Sequence, residues 1–214
     1  NSASVSLNTR LSRNEAVIRQ TFDKVYFASV YPVISLTATA GQIELGSENR
    51  PYGKFAAKML YQPEVPPFGY ASLTIGGGTI LGKVPFTHLK IHEGNGTYFY
   101  DPYAFSTMNM MEFASDSWVD LFYEHHFKGF FLGKIPLLKK LKWREVFVLK
   151  GTYGWLSDRN NGSLTSTQAD LRFPGFMTEM KTPFVETGFA VENIFKVLRV
   201  DAMWRLTHRS GQVG

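Results

Sequence analysis

The sequence predicts an all-β protein, an antiparallel transmembrane β-barrel, and three observations carry the prediction. Apolar and polar residues alternate with period two in eight separate stretches, each of roughly ten residues, the length a tilted membrane strand requires. Aromatic residues make up 15% of the 214 residues and charged residues only 19%, against roughly 25% charged in soluble domains. The connections between the stretches also sort into short and long, as outer-membrane barrels separate short periplasmic turns from long external loops. No run approaches the roughly 18 apolar residues of a membrane helix, so any crossing is made by strands.

Each stretch puts an apolar row on one side and a polar row on the other. SVSLNTRL (4–11) sets Val5, Leu7 and Leu11 against Ser4, Ser6, Asn8 and Arg10. VISLTATAG (33–41) sets Ile34, Leu36, Ala38 and Ala40 against Ser35, Thr37 and Thr39. In GKFAAKMLYQ (53–62), Phe55, Ala57, Met59 and Tyr61 oppose Lys54, Lys58 and Gln62. FGYASLTIGGGTI (68–80) opposes Ala71, Leu73 and Ile75 to Ser72 and Thr74. DSWVDLFYEHHF (116–127) places Val119, Leu121, Tyr123 and Phe127 opposite Asp120, Glu124 and His126. REVFVLKGTYGW (144–155) aligns Phe147, Leu149, Tyr153 and Trp155 opposite Arg144, Lys150 and Thr152. FVETGFAVEN (184–193) sets Val185, Phe189 and Val191 against Glu186 and Glu192. VLRVDAMWRL (197–206) sets Leu198, Val200, Ala202, Trp204 and Leu206 against Arg199, Asp201 and Arg205, with Val197 and Met203 on the charged side. In a membrane barrel the first row of each pair meets lipid and the second a wet or plugged interior.

The links at 61–67, 128–143 and 193–196 are short, and those at 81–116 and 157–183 are long; residues 12–31 settle into neither class. Residues 1–214 are thus expected to form part of one transmembrane barrel domain with long loops near 81–116 and 157–183. The first of these carries YFYDPYAF, too many rings for an unpacked external loop, and is expected to reach over or into the barrel. KGFFLGKIPLLKKLKW (128–143) is amphipathic and basic, either a hairpin end covering its own rim or a membrane-interface segment. Trp155 and Trp204 fall near strand ends, where interfacial girdles belong.

Little in the sequence points to chemistry. There is no cysteine, hence no disulfide or thiolate metal site, and the opening NSASVSLNTR has no basic-then-apolar leader, so a signal peptide is expected to be absent or removed. The net charge is +5, but the one dense basic cluster is KKLKWR (139–144), and without a basic stripe nucleic acid is not an expected partner. His88 and His92 are four apart, as for a shared metal on a helix, yet no helical periodicity surrounds them. Glu124 and His126 share a strand face, leaving His125 on the other, which reads as an interior polar pair. Gly76, Gly77 and Gly78 lack the Lys-Ser/Thr and helix of a phosphate loop and read as a bend or a close approach. No GxSxG elbow occurs, and the tripeptides at Asn95 and Asn161, though they match glycosylation acceptors, read as turns. No catalytic, cofactor-binding or metal-binding residues are expected, and no cofactor.

The motifs GKVPF (82–86), HEGN (92–95), YDPYAF (100–105), EFASD (112–116), EHHFKG (124–129), KIPLLKKLKWRE (134–145) and ENIFKVLRVDAMWRL (192–206) resemble a family of uncharacterised Bacteroides-type outer-membrane proteins. In that family a carboxypeptidase-regulatory-like sandwich precedes a large barrel of unknown function, and the likeness spans most of residues 30–206. The resemblance implies that this chain is the C-terminal portion of a larger outer-membrane barrel, of about 14 to 16 strands by the general range of such barrels. The order of strands is also distantly similar to Omp85-type assembly and translocation barrels, with 81–116 as the loop that enters the lumen. The chain lacks the Arg-Gly-Phe/Tyr tip motif of that loop.

These readings make the expected function non-enzymatic: a bacterial outer-membrane barrel assisting transport, translocation or assembly, within a multiprotein complex. The alternative is a structural or partner-binding scaffold barrel with no conducting lumen. Expected partners are outer-membrane lipid and other outer-membrane or periplasmic proteins.

Overall fold

The computed structural model describes residues 2–14, 17–19, 24–26, 31–45, 48–161 and 173–209. Its centre is an eight-stranded antiparallel sheet in the order β1 (Ser2–Leu11), β4 (Val33–Leu45), β5 (Glu48–Tyr61), β6 (Tyr70–Leu81), β9 (Ser117–His126), β10 (Arg144–Trp155), β12 (Phe184–Ile194) and β13 (Leu198–Arg205). All eight lie where alternation places them. Sequence neighbours pair throughout, so the sheet is a meander with insertions. Two short strands, β2 (Val17–Arg19) and β3 (Lys24–Tyr26), pair with each other in the stretch left unassigned above. Three more, β7 (Lys90–Ile91), β8 (Phe113–Ser115) and β11 (Thr178–Glu179), make a small separate sheet from the two long connections. A six-residue helix, α1 (Pro136–Leu141), lies in the β9–β10 connection.

The fold is therefore all-β and antiparallel in its main sheet, but among the described residues the ring is open. β1 and β13 are its two edges, and no ladder joins them.

Cross-strand pairing resolves the sheet into rows, and the rows separate the two faces. On the outer face one row runs Thr9, Leu36, Ala57, Gly77, Val119, Tyr153, and the next Leu11, Ile34, Met59, Ile75, Leu121, Gly151, Val185. A third runs Tyr61, Leu73, Tyr123, Leu149, Thr187, Trp204. No Asp, Glu, Lys or Arg stands in these rows; the outward charges Glu44 and Glu145 lie at the two rims. The inner rows carry Arg10, Ser35, Lys58, Gly76, Asp120, Thr152, Phe184, and then Thr74, Phe122, Lys150, Glu186, Arg205. Nothing among the described residues covers the apolar face: Leu7 is 68% exposed, Phe55 51% and Phe189 59%. Val197, grouped above with the charged row, instead lies in the turn before β13.

The inner face is covered by the chain's own long connections. Phe105, Met108, Phe113 and Met180 from those connections close a buried cluster with Phe122 and Phe184 of the sheet. Burying each such side chain contributes roughly 1.5–3 kcal/mol, which offsets the entropy of ordering the loop around it. A second cluster joins Val84, Leu89 and Met177 to Ile43, Ile80 and Trp118. Here the Gly76–Gly78 run finds its use: a Cβ on Gly78 would sit 2.5 Å from both the Trp118 ring and the Phe55 carbonyl oxygen. Gly78→Ala is therefore expected to cost about 1–3 kcal/mol through overpacking, read as a lower urea midpoint of the folded protein, whereas Gly53→Ala, with nothing closer than 3.8 Å, should not.

Candidate functional site

The connections fall on two ends of the sheet. The β5–β6, β9–β10 and β12–β13 links share one end, and the long connections 82–116 and 156–183 share the other, together with the tight β4–β5 hairpin. The second long connection is described at 156–161 and 173–183 only. From that end, residues 82–116 fold down along the inner face, and the charged inner rows hold them there.

Lys150 and Glu186 are cross-strand neighbours, both fully buried. The Lys150 ammonium donates to the carbonyls of Asp101 (2.8 Å) and Ala104 (2.6 Å). The Glu186 carboxylate accepts from the backbone N–H of Ser106 (2.9 Å) and Thr107 (2.8 Å), and from the Thr107 hydroxyl (2.7 Å). One cation thus takes the carbonyls and one anion the amides of the same short stretch, so the two charges grip backbone that would otherwise be buried without partners. Next in that row, Arg205 forms a fork on Glu112, Nη2 to Oε1 at 2.6 Å and Nη1 to Oε2 at 3.2 Å.

A second group lies nearer the short-turn end. Glu124 accepts from the Tyr100 hydroxyl and from Arg199 Nη1 at 3.2 Å, and its other contact is His126 Nε2 at 3.2 Å. Arg199 also binds both oxygens of Asp201 and lies 4.2 Å over the Tyr100 ring, with Lys150 4.3 Å from that ring. Burial first, then the bond to Glu124, pushes the Tyr100 phenol above its usual range, so it remains a donor. His126 Nδ1 is 3.3 Å from Glu192 but off the line of a hydrogen bond, so that contact is electrostatic. His125 is turned away, its ring nitrogens meeting the Tyr123 hydroxyl and the Phe68 carbonyl. Glu124 and His126 are together, and His125 apart, as alternation requires.

His92 and His88 are not a pair. His88 packs edge-on against Tyr52, whereas buried His92 bridges Ser115 (Nε2, 2.9 Å) and Thr152 (Nδ1, 3.0 Å). Because the Thr152 hydroxyl donates to Asp120 at 2.7 Å, Nδ1 carries a hydrogen and donates it to Thr152. The roots of the two long connections are stitched by Asp116, which accepts from Ser157 N–H (2.9 Å) and Asn160 (3.1 Å), and by Asn160, which accepts from Val84 N–H at 3.0 Å. Asn95 makes a turn with Thr97, its Oδ1 accepting from N–H at 2.9 Å, and the Asn161 N–H donates to the Ser157 carbonyl. Among the described residues no group of three or more His, Asp or Glu is placed to hold a metal ion.

Between residues 101–104 and strands β4 to β6 a cavity of about 500 Å³ remains on the inner face, lined by Lys54, Lys58, Tyr103, Trp118 and Asp120 among others. The hydroxyls of Ser115 and Thr152 meet the His92 imidazole, but all three side chains are buried. Chemically the arrangement can hold a loop and offer a charged surface beside it. Alternation alone identified Lys150, Glu186, Arg199 and Arg205 as inward-facing; that they meet one loop was hidden, because Lys150 and Glu186 bind its backbone and Arg199 and Arg205 meet Tyr100 and Glu112 from about a hundred residues away.

A family model described as a family of unknown function (DUF5686), C-terminal domain, matches residues 1–155. No curated protein and no solved structure matches the chain.

Proposed function

The chain belongs to the DUF5686 C-terminal domain family, and for it we propose a non-enzymatic role as part of a bacterial outer-membrane β-barrel that assists transport, translocation or assembly, in company with other outer-membrane or periplasmic proteins. The observation that carries the reading is the two-faced sheet, with eight strands of about membrane-crossing length, an uncharged outer band and the charges turned inward. In water such a face would be an apolar patch far larger than soluble monomers carry; in hydrocarbon it is the required one, since an outward Arg at mid-bilayer costs roughly 2–4 kcal/mol. The open edges β1 and β13 need partners in lipid, which further strands of a larger barrel supply. In this reading residues 82–116 are a plug held inside the lumen, and similarity to Omp85-type barrels extends to having a loop in that place.

A scaffold barrel with no conducting lumen is the second reading, favoured by how fully the clamp occupies the inner face. Planar-bilayer recordings of the full-length protein separate the two. The transport reading expects a low or silent wild type and a steady conductance after deletion of residues 94–103; a folded deletion variant as silent as the wild type would favour the scaffold.

A further inference from the structure

Three of the connections at the short-turn end, β5–β6, β9–β10 and β12–β13, form one continuous rim. The Asn193 side chain donates to the Lys142 carbonyl at 2.7 Å, tying the β12–β13 turn to the end of α1. Phe68 of the β5–β6 link meets Phe130 edge-on at 4.8 Å. The backbone amides of Phe131 and Leu132 are held by Glu145 (2.5 and 2.6 Å), which fixes the β9–β10 connection against the sheet. Yet this rim leaves its large apolar side chains in the open: Phe131 is 51% exposed, Ile135 47%, Leu137 73%, Leu141 46%, Phe195 81% and Val197 82%. A hairpin end that covered its own barrel would bury them.

Lysines are interleaved with these side chains. Lys134, Lys139, Lys140, Lys142 and Lys196 lie on the same connections, and among the described residues none of the five has a carboxylate partner. The rim is also continuous with the uncharged outer face, through Leu198, 53% exposed, at the start of β13. Exposed aromatic and aliphatic groups, with ammonium groups among them that have no carboxylate partner among the described residues, match the boundary between acyl chains and anionic headgroups, where apolar side chains enter the lipid and lysines stay at the phosphate level.

We propose that this rim is a binding surface for anionic phospholipid, seating residues 128–143 and 195–197 in the headgroup layer of the leaflet on the short-turn side. The proposal rests on the membrane reading above and adds a lipid class and a leaflet to it. Apolar residues spread along the rim instead of meeting in a groove favour a lipid surface over a protein partner.

The test uses the full-length protein folded into vesicles of phosphatidylcholine alone or mixed with phosphatidylglycerol, with insertion checked by heat-modifiable gel migration. Amide hydrogen exchange across residues 130–142 is expected to slow by about tenfold or more in the mixed lipid and to return to the neutral-lipid rate in high salt. The variant carrying Lys134→Gln, Lys139→Gln, Lys140→Gln and Lys142→Gln should insert normally and lose the difference. Insertion with equal exchange in both lipids overturns this proposal and leaves the membrane reading intact. Protection that persists in the glutamine variant also overturns it. No insertion in either lipid overturns both.

Discussion

Replacing Leu36 with arginine should block insertion into a bilayer, while the same replacement at the adjacent Thr37 should leave insertion close to wild type. The two residues are consecutive on β4, one in an outer row between Thr9 and Ala57, the other in an inner row between Asn8 and Ala56 beside the cavity. Leu36 is 43% exposed, and on a soluble protein a surface substitution at such a site changes stability by only about 0.5 kcal/mol. In a bilayer the guanidinium meets hydrocarbon, at roughly 2–4 kcal/mol, and no inner water is within reach because the side chain points outward. Thr37→Arg adds a charge to a face that already holds Arg10, Lys54 and Lys58. Folded fraction in lipid, read by gel migration, measures the difference. The β13 residue Val200 is a weaker place for this test, since its row contains Glu145 and lies at the rim.

The second large effect is expected at the clamp. Lys150→Met leaves the carbonyls of Asp101 and Ala104 without their donor and Glu186, itself fully buried, without its cross-strand neighbour. Each hydrogen bond lost from a charged group costs about 1.5–3 kcal/mol, and losing the two from Lys150 is enough to release residues 101–107 without dissolving a sheet whose ladders do not use these groups. Limited proteolysis should then cut within 94–107, where the wild type resists, while the strands stay protected. The double variant Lys150→Met with Glu186→Leu should recover part of the loss, because no buried charge is left alone. Equal protease resistance in wild type and Lys150→Met would mean that the loop is held by its aromatic cluster alone.

Most of the sheet was legible because strand periodicity is two and one face carries no charge: Arg199, Asp201 and Arg205 sort from Val200, Ala202 and Trp204 by parity, and the structure keeps that sorting. The Glu124, His125, His126 run obeyed the same rule. What parity cannot express is contact across distant segments. Glu112 meets Arg205 from 93 residues away, and Asn160 meets Val84 from 76, through loops with no periodicity to read. His92 is the plainest case: without helical periodicity its spacing from His88 said nothing of its partners, and β7 ends at Ile91 and turns it toward Thr152 and Ser115. The short β7, β8 and β11 were invisible for a related reason: two or three residues are too few to alternate.

The central claim is that the uncharged face meets lipid. The chain has no cysteine, so single cysteines at positions 34 to 40, spin-labelled in vesicles, report each position's surroundings without a background from these 214 residues. Collision with oxygen, which partitions into lipid, should be high at 34, 36, 38 and 40, and collision with a water-soluble nickel chelate high at 35, 37 and 39, a strict period of two along β4. Residues 34, 36, 38 and 40 reached freely by the nickel chelate, or shielded from both reagents as inside a soluble sandwich, would contradict the account.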